Sequence, residues 1–242
     1  MEITELQKDL AATFRWTARL NMHEGVANHF SACVPGSSTD FYVNKAGIHF
    51  SQIKASDLIL VTKENINDLK KKPDLVDPTA INIHGKIHQK VPHAKCIFHV
   101  HSKYATALST LKDPTLKPID QNTMMFYNRI SIFNEFGGLG FEDEANKMAN
   151  ALGNKQHMLL ANHGIIITGE TVAEGFNYLY YFEKAAETYL TALSTNKELN
   201  IVSNEVAEKT AQETADYPIN LAQLHLEQIR LILDKDEPEY KN

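Results

Sequence analysis

The stretch "AKCIFHVHSKYAT", residues 94 to 106, constrains this chain more than any other. It reads as a buried apolar strand that presents His99 and His101 and then stops. Strand side chains alternate between faces, so the two imidazoles look out from one side and Val100 from the other. Two neutral imidazoles held that close suit a shared metal ion, but a pair is too few for a site.

A third ligand is available in "LLANHGIIITG", where His163 sits at the tip of an apolar strand just before Gly164. A glycine there allows a tight turn or a positive φ, which would expose the imidazole at the strand end. Three nitrogen ligands with a coordination position left open match a catalytic rather than a structural zinc site. The plainer alternative is that each histidine caps a strand by hydrogen-bonding backbone.

"INIHGKIHQK" adds His84 and His88, four apart and on one helical face. Gly85 stands where a His-Glu-x-x-His site needs its glutamate, so the metalloprotease motif fails. The preferred reading is that both line a pocket or a helix contact. "HEGVANHFS" places His23, Glu24 and His29 around Gly25, either to wrap a small polar ligand or to link a helix to a strand. "GGLG" at 137 to 140 lacks the dinucleotide fingerprint, and no Gly-x-Ser-x-Gly elbow occurs. Tyr178, Tyr180, Tyr181 and Phe182 read as packing residues.

A net charge of −6 over 242 residues argues against a nucleic-acid surface, and Lys70-Lys71-Lys72 reads as a solvated loop. No apolar run is long enough to span a bilayer, and the charged start is not a signal peptide. Two cysteines, Cys33 and Cys96, lie in apolar segments, so no disulfide framework is expected and a cytoplasmic location follows.

Periodicity predicts a helix over 4–22 with Thr4 as N-cap, strands at "HFSACVPG", "DFYVNKAG" and "ASDLILVT", and a helix opened by Asp77-Pro78. Beyond "KCIFHVH" it predicts a helix at "KYATALSTL", a strand at "RISIFNEF" and a helix at "FEDEANKMANALG" closed by Gly153. Two short strands broken at "ANHG" follow, then the longest helix, from Glu170 and Thr171, and a last helix with a charged end. Strands in the middle, with helices between and around them, give one α/β domain with helices layered on a central sheet.

"HGKIHQKVPHAKCIFHVHS" followed by "MLLANHGIIITGETVAEGFNYLYYFEKAAETYL" resembles the class II aldolase/adducin family over about residues 5 to 195. The resemblance implies one such domain over 1–242, with a C-terminal helix and tail from about 203. It implies a mainly antiparallel central sheet flanked by helices, and a homotetramer with active sites between subunits. It further implies a divalent metal, most often Zn2+ with Fe2+, Mn2+ or Co2+ as alternatives, held by His99, His101 and His163.

Where sugar-phosphate aldolases of the family carry Ser-Ser-Glu or Ser-Ser-Asp, this chain has Pro78, Thr79 and Ala80. The asparagine of the family's Gly-Asn-x-Ser phosphate loop is matched by His29, with Asn28 in place of its glycine. Of the phosphate and substrate contacts, Gly47, Ser31 and Thr79 survive, and Asn28 joins them as a substrate-binding candidate. These changes are similar to the adducin-like bacterial branch and argue against a phosphorylated sugar. An alanine moves no proton, so His29, His84 and Tyr127 are the candidate replacements. Tyr240 is another, since a tail tyrosine reaches a neighbouring active site in family aldolases.

The expectation is a metal-dependent lyase, an aldolase or decarboxylase, acting on a small oxygenated, unphosphorylated metabolite, with neither nucleic acid nor membrane as partner. A non-haem iron oxygenase on the same scaffold and a non-catalytic adducin-like interaction protein are the alternatives.

Overall fold

The computed structural model describes residues 3–135, 137–138 and 142–242, so Leu139 and Gly140 of "GGLG" lie outside the described residues. Helix α1 (Glu5–Arg19) starts where Thr4 forms a capping box with Gln7, which satisfies first-turn N–H donors. Strands β1 (His29–Cys33), β2 (Phe41–Asn44) and β3 (Leu58–Val61) follow, then the short helix α2 (Ile66–Leu69). Helix α3 (Pro78–Lys90) begins as Asp77-Pro78 predicts. Asp77 Oδ1 accepts from the Thr79 N–H at 2.8 Å, and proline fills the position whose N–H has no helical partner.

Next come β4 (Cys96–Val100), α4 (Lys103–Ser109), α5 (Gln121–Met125) and β5 (Ile130–Phe133). Helix α6 (Glu142–Leu152), strands β6 (His157–Leu160) and β7 (Gly164–Gly169), and the long helix α7 (Val172–Ser194) complete the centre. Helices α8 (Asn204–Ala215) and α9 (Leu221–Asp236) and a 3-10 turn (Pro238–Lys241) end the chain. Helices α2 and α5 span 4 and 5 residues, too few for periodicity to announce.

Among the described residues seven strands form one sheet, in the order β3-β2-β1-β4-β7-β6-β5. Every neighbouring pair is antiparallel except β5 and β6. Strand β4 is central and buried throughout, with His29 of β1 opposite His99 on one side and Ile166 of β7 on the other. Its two faces meet different cores. Phe98 and Val100 pack with Phe176, Leu179 and Phe182 of α7, whereas Ile97 packs with Ile83 and Ile87 of α3 and Met148 of α6. This is the expected α/β architecture, a mainly antiparallel sheet between helical layers.

Cys33 and Cys96 are free and buried. No described helix is long and apolar enough to cross a membrane.

Candidate metal centre

The end of β4 and the β6–β7 turn bring three imidazoles together. Ring centroids of His99, His101 and His163 lie 4.9, 4.9 and 4.6 Å apart, and one ring nitrogen from each lies within 4.8 Å of the others. His101 falls just past the strand, where α4 begins at once. Glu183 of α7 fastens that start: its carboxylate accepts from Ser102 Oγ at 2.6 Å and from the Tyr104 and Ala105 N–H groups at 2.8 and 3.0 Å. His163 stands in a turn entered through Asn162, which takes φ 56°. Gly164 serves close approach rather than positive φ, since a Cβ there would sit 2.5 Å from the Val100 carbonyl oxygen.

The donor chemistry of this cluster suits a cation. His99 Nδ1 lies 3.0 Å from Ile165 O, and His101 Nδ1 lies 2.5 Å from Glu24 Oε2. Both partners are acceptors, so each ring carries a proton on Nδ1 and directs Nε2 toward the cluster. Those two Nε2 atoms are 3.1 Å apart. Burial, reinforced by neighbouring imidazoles, holds the His99 pKa well below its usual value and brings that of His163 down to about 4. Imidazoles anchored at Nδ1 by a carbonyl or a carboxylate suit metal ligation, and the three residues could hold a divalent ion.

His29 adjoins this cluster. It pairs with His99 across β1 and β4, with ring centroids 4.9 Å apart, and its Nδ1 lies 2.7 Å from His84 Nε2. Its pKa is pushed down to about 4, chiefly by burial, against the pull of Asp77. Asn28, buried beside it, accepts from the Glu24 N–H at 2.7 Å and the His101 N–H at 3.5 Å. The Asn28 Nδ2 donor is buried and has no partner.

The other predicted residues are placed differently. Ser31 is fully buried, its hydroxyl between His84 Nδ1 at 2.5 Å and His88 Nε2 at 2.8 Å. Thr79 Oγ1 donates to Asp77 Oδ1 at 2.6 Å, and Gly47 is an exposed turn residue with φ 76°. Ala80 is packed in a small core with Phe41, Val43 and Ile81. Tyr127 lines a cavity of about 350 Å³ with Pro118, Ile130 and Lys155, and no described contact joins it to the triad. Tyr240 is fully buried against the core of its own chain and donates to Asp234 Oδ1 at 2.8 Å, so within this chain it is not at the histidines.

Sequence reasoning missed three carboxylates, Glu24, Asp77 and Glu183. Asp77 reads in the sequence only as a helix start, and Glu24 only as part of a loop that wraps a small polar ligand or links a helix to a strand, with no sign of its pairing with His101. Glu183 carried no signal, being one of four charged residues on a long helix.

A seven-stranded sheet with three histidines converging at a strand end and a neighbouring turn defines an α/β protein with a candidate metal site. The chain belongs to the class II aldolase and adducin N-terminal domain family, whose model matches residues 8–190. It is 30% identical over 217 residues to the meiotically up-regulated gene 14 protein of Schizosaccharomyces pombe, covering 88% of this chain and 82% of that one. It is 27% identical over 209 residues to the decarboxylase NovR of Streptomyces niveus, covering 86% and 76%. Its fold matches the L-fuculose 1-phosphate aldolase from Glaciozyma antarctica PI12 with a TM-score of 0.82 and 26% identity, over 98% of this chain and 92% of that one.

Proposed function

We propose that the protein is a metal-dependent carbon–carbon lyase, an aldolase or decarboxylase for a small oxygenated, unphosphorylated metabolite, with His99, His101 and His163 as metal ligands. The convergence of ring nitrogens from His99, His101 and His163 within 4.8 Å of one another, with the Nδ1 atoms of His99 and His101 anchored on acceptors, carries this reading. A bound divalent ion, Zn2+ foremost, would supply Lewis-acid polarisation of a substrate carbonyl, worth several kcal/mol.

The protein's own groups then have separable tasks. Asn28 Nδ2, buried without a partner, donates to a substrate oxygen and so relieves its own desolvation. Glu24 holds the His101 proton on Nδ1. His29 handles the proton that the family's acid handles elsewhere, since the methyl of Ala80 is enclosed in the core. Decarboxylation of a β-keto acid needs no prior removal of a proton from carbon, and the alanine is compatible with it. Packing of Thr79 on Asp77 and enclosure of Ser31 between imidazoles support an unphosphorylated substrate. The reading includes a cytoplasmic assembly of four copies, for which the exposed Leu224, Leu231 and Ile232 of α9 offer an apolar face.

The test is zinc titration of the purified chain by calorimetry, followed by a screen of β-keto acids and aldols with zinc, cobalt or iron under argon and air. One metal equivalent per chain and oxygen-independent release of carbon dioxide or an aldehyde are expected. Turnover that consumes oxygen and needs iron would replace the lyase by an oxygenase. Absence of metal binding would leave an interaction protein.

A further inference from the structure

A line of buried polar groups leaves the metal centre along β1 and passes beneath α3. His29 Nδ1 is 2.7 Å from His84 Nε2, and His84 Nδ1 is 2.5 Å from Ser31 Oγ. Ser31 Oγ is in turn 2.8 Å from His88 Nε2, and His88 Nδ1 is 2.7 Å from the Ala94 carbonyl oxygen. None of the four side chains is more than 3% exposed, so the line is sealed from water along its length.

Its far end sets its direction. A carbonyl oxygen only accepts, so His88 must carry its proton on Nδ1. Burial brings the His88 pKa down to about 4, which leaves the ring neutral near pH 7, with a lone pair on Nε2. That lone pair takes the Ser31 O–H. The committed hydroxyl then accepts from His84 Nδ1–H, and His84 Nε2 is left to accept from His29 Nδ1–H. His29, the last member, ends with a bare lone pair on Nε2. Cys33 Sγ, 3.2 Å from His88 Nδ1, is a second acceptor for the same N–H and does not alter the order.

We propose that the Ala94 carbonyl, His88, Ser31 and His84 form a one-directional hydrogen-bond relay that sets the tautomer of His29, so that its Nε2 stands at the metal centre as an acceptor for a substrate hydroxyl or a water. The proposal rests on the reading of His29 as the proton-handling group of a lyase. His84, Ser31 and His88 are positioning residues within it. The reversed order would place a lone pair of His88 against a carbonyl oxygen at 2.7 Å, with nothing to bind them. The Asp77-Pro78 start and the four-residue spacing of His84 and His88 thus have a joint purpose: α3 lays two imidazoles along the β1 face that carries His29 and Ser31.

The test reads tautomers directly. The full chain, labelled with nitrogen-15 in its histidines and free of metal, is examined near pH 7.5 by two-bond proton–nitrogen correlation. His29, His84 and His88 are each expected to show a protonated Nδ1 and a bare Nε2. In Ser31→Ala, His84 and His29 should lose that pattern together, while His88 keeps it through Ala94 and reports that the fold is intact. A wild-type His29 protonated on Nε2 overturns the relay, as does a Ser31→Ala chain in which His29 is unchanged. If Ser31→Ala does not fold, the wild-type spectrum decides alone. Zinc titration of the same samples separates the two proposals. Correct tautomers in a chain that binds no zinc would sink the lyase and keep the relay, and a wrong His29 tautomer with normal zinc binding would do the reverse.

Discussion

Three imidazoles whose ring nitrogens lie within 4.8 Å of one another, as those of His99, His101 and His163 do, are placed to share one cation. His99→Ala should therefore abolish stoichiometric zinc binding, measured by competition with a chromophoric chelator. Glu24→Gln keeps an acceptor at His101 Nδ1 but removes the charge, and should weaken zinc about 10–100-fold. Wild-type affinity in either variant would remove the residue from the site. His157 tests burial without metal. It is fully buried, its Nδ1 accepts from the Thr168 N–H at 3.4 Å, and burial pushes its pKa down to about 3. The unfolded chain takes up a proton there below about 6.5 while the folded chain does not until about 3, so stability is full above that window and falls as pH falls through it. In His157→Asn the pH slope of urea-derived stability between pH 4 and 6 should drop by about 1.4 kcal/mol per pH unit, one proton's worth.

The positions of the histidines depend on how α4 and α7 meet the sheet. Glu183 satisfies three donors at the start of α4, immediately after His101. Glu183→Ala leaves these donors without their partner in a buried setting and should cost roughly 2–3 kcal/mol, with α4 the first segment to lose hydrogen-exchange protection. Helix α7 lies against β4 because Gly175 admits the Phe98 ring, which a Cβ would approach to 2.4 Å. Gly175→Ala should overpack this contact and destabilise by about 1–3 kcal/mol in denaturant unfolding. A variant as stable as the parent would mean that Phe98 has room to move.

Across the whole molecule, the last turn is tied to the first helix. Arg15, 5% exposed on α1, donates Nε–H to the Ile53 carbonyl at 2.8 Å and also bonds the Ser51 carbonyl. It pairs with Glu237 and Glu239 at 3.1 and 3.3 Å, and Arg19 holds Glu237 from the adjacent turn. The charged end of the chain is thereby clamped on α1. Arg15→Ala leaves the Ile53 and Ser51 carbonyls without this donor while Arg19 still holds Glu237, and should lower stability by roughly 1–3 kcal/mol, read as a shift of the urea midpoint at constant slope. An unchanged midpoint would show that the clamp is ornamental.

Local patterns settled much of this beforehand. Capping at Thr4 and Asp77-Pro78, the apolar alternation through 96–101 and the Asn-His-Gly turn depend on neighbours within a few residues, which a linear chain displays. The same patterns pointed to His99, His101 and His163 as a group, because strand ends and tight turns are where buried sheets expose polar side chains. Tertiary structure alone decided what each nitrogen does. His84 and His88 announce a shared helix face, but only the packing of α3 on β1 sets them on either side of Ser31. Glu24 reaches His101 across 77 residues of sequence, and Ala94 determines the proton of His88 through a backbone carbonyl that no side-chain pattern encodes. Periodicity reports which way a residue faces. Hydrogen-bond direction depends on which partner lies opposite, and that is known only when distant segments have met.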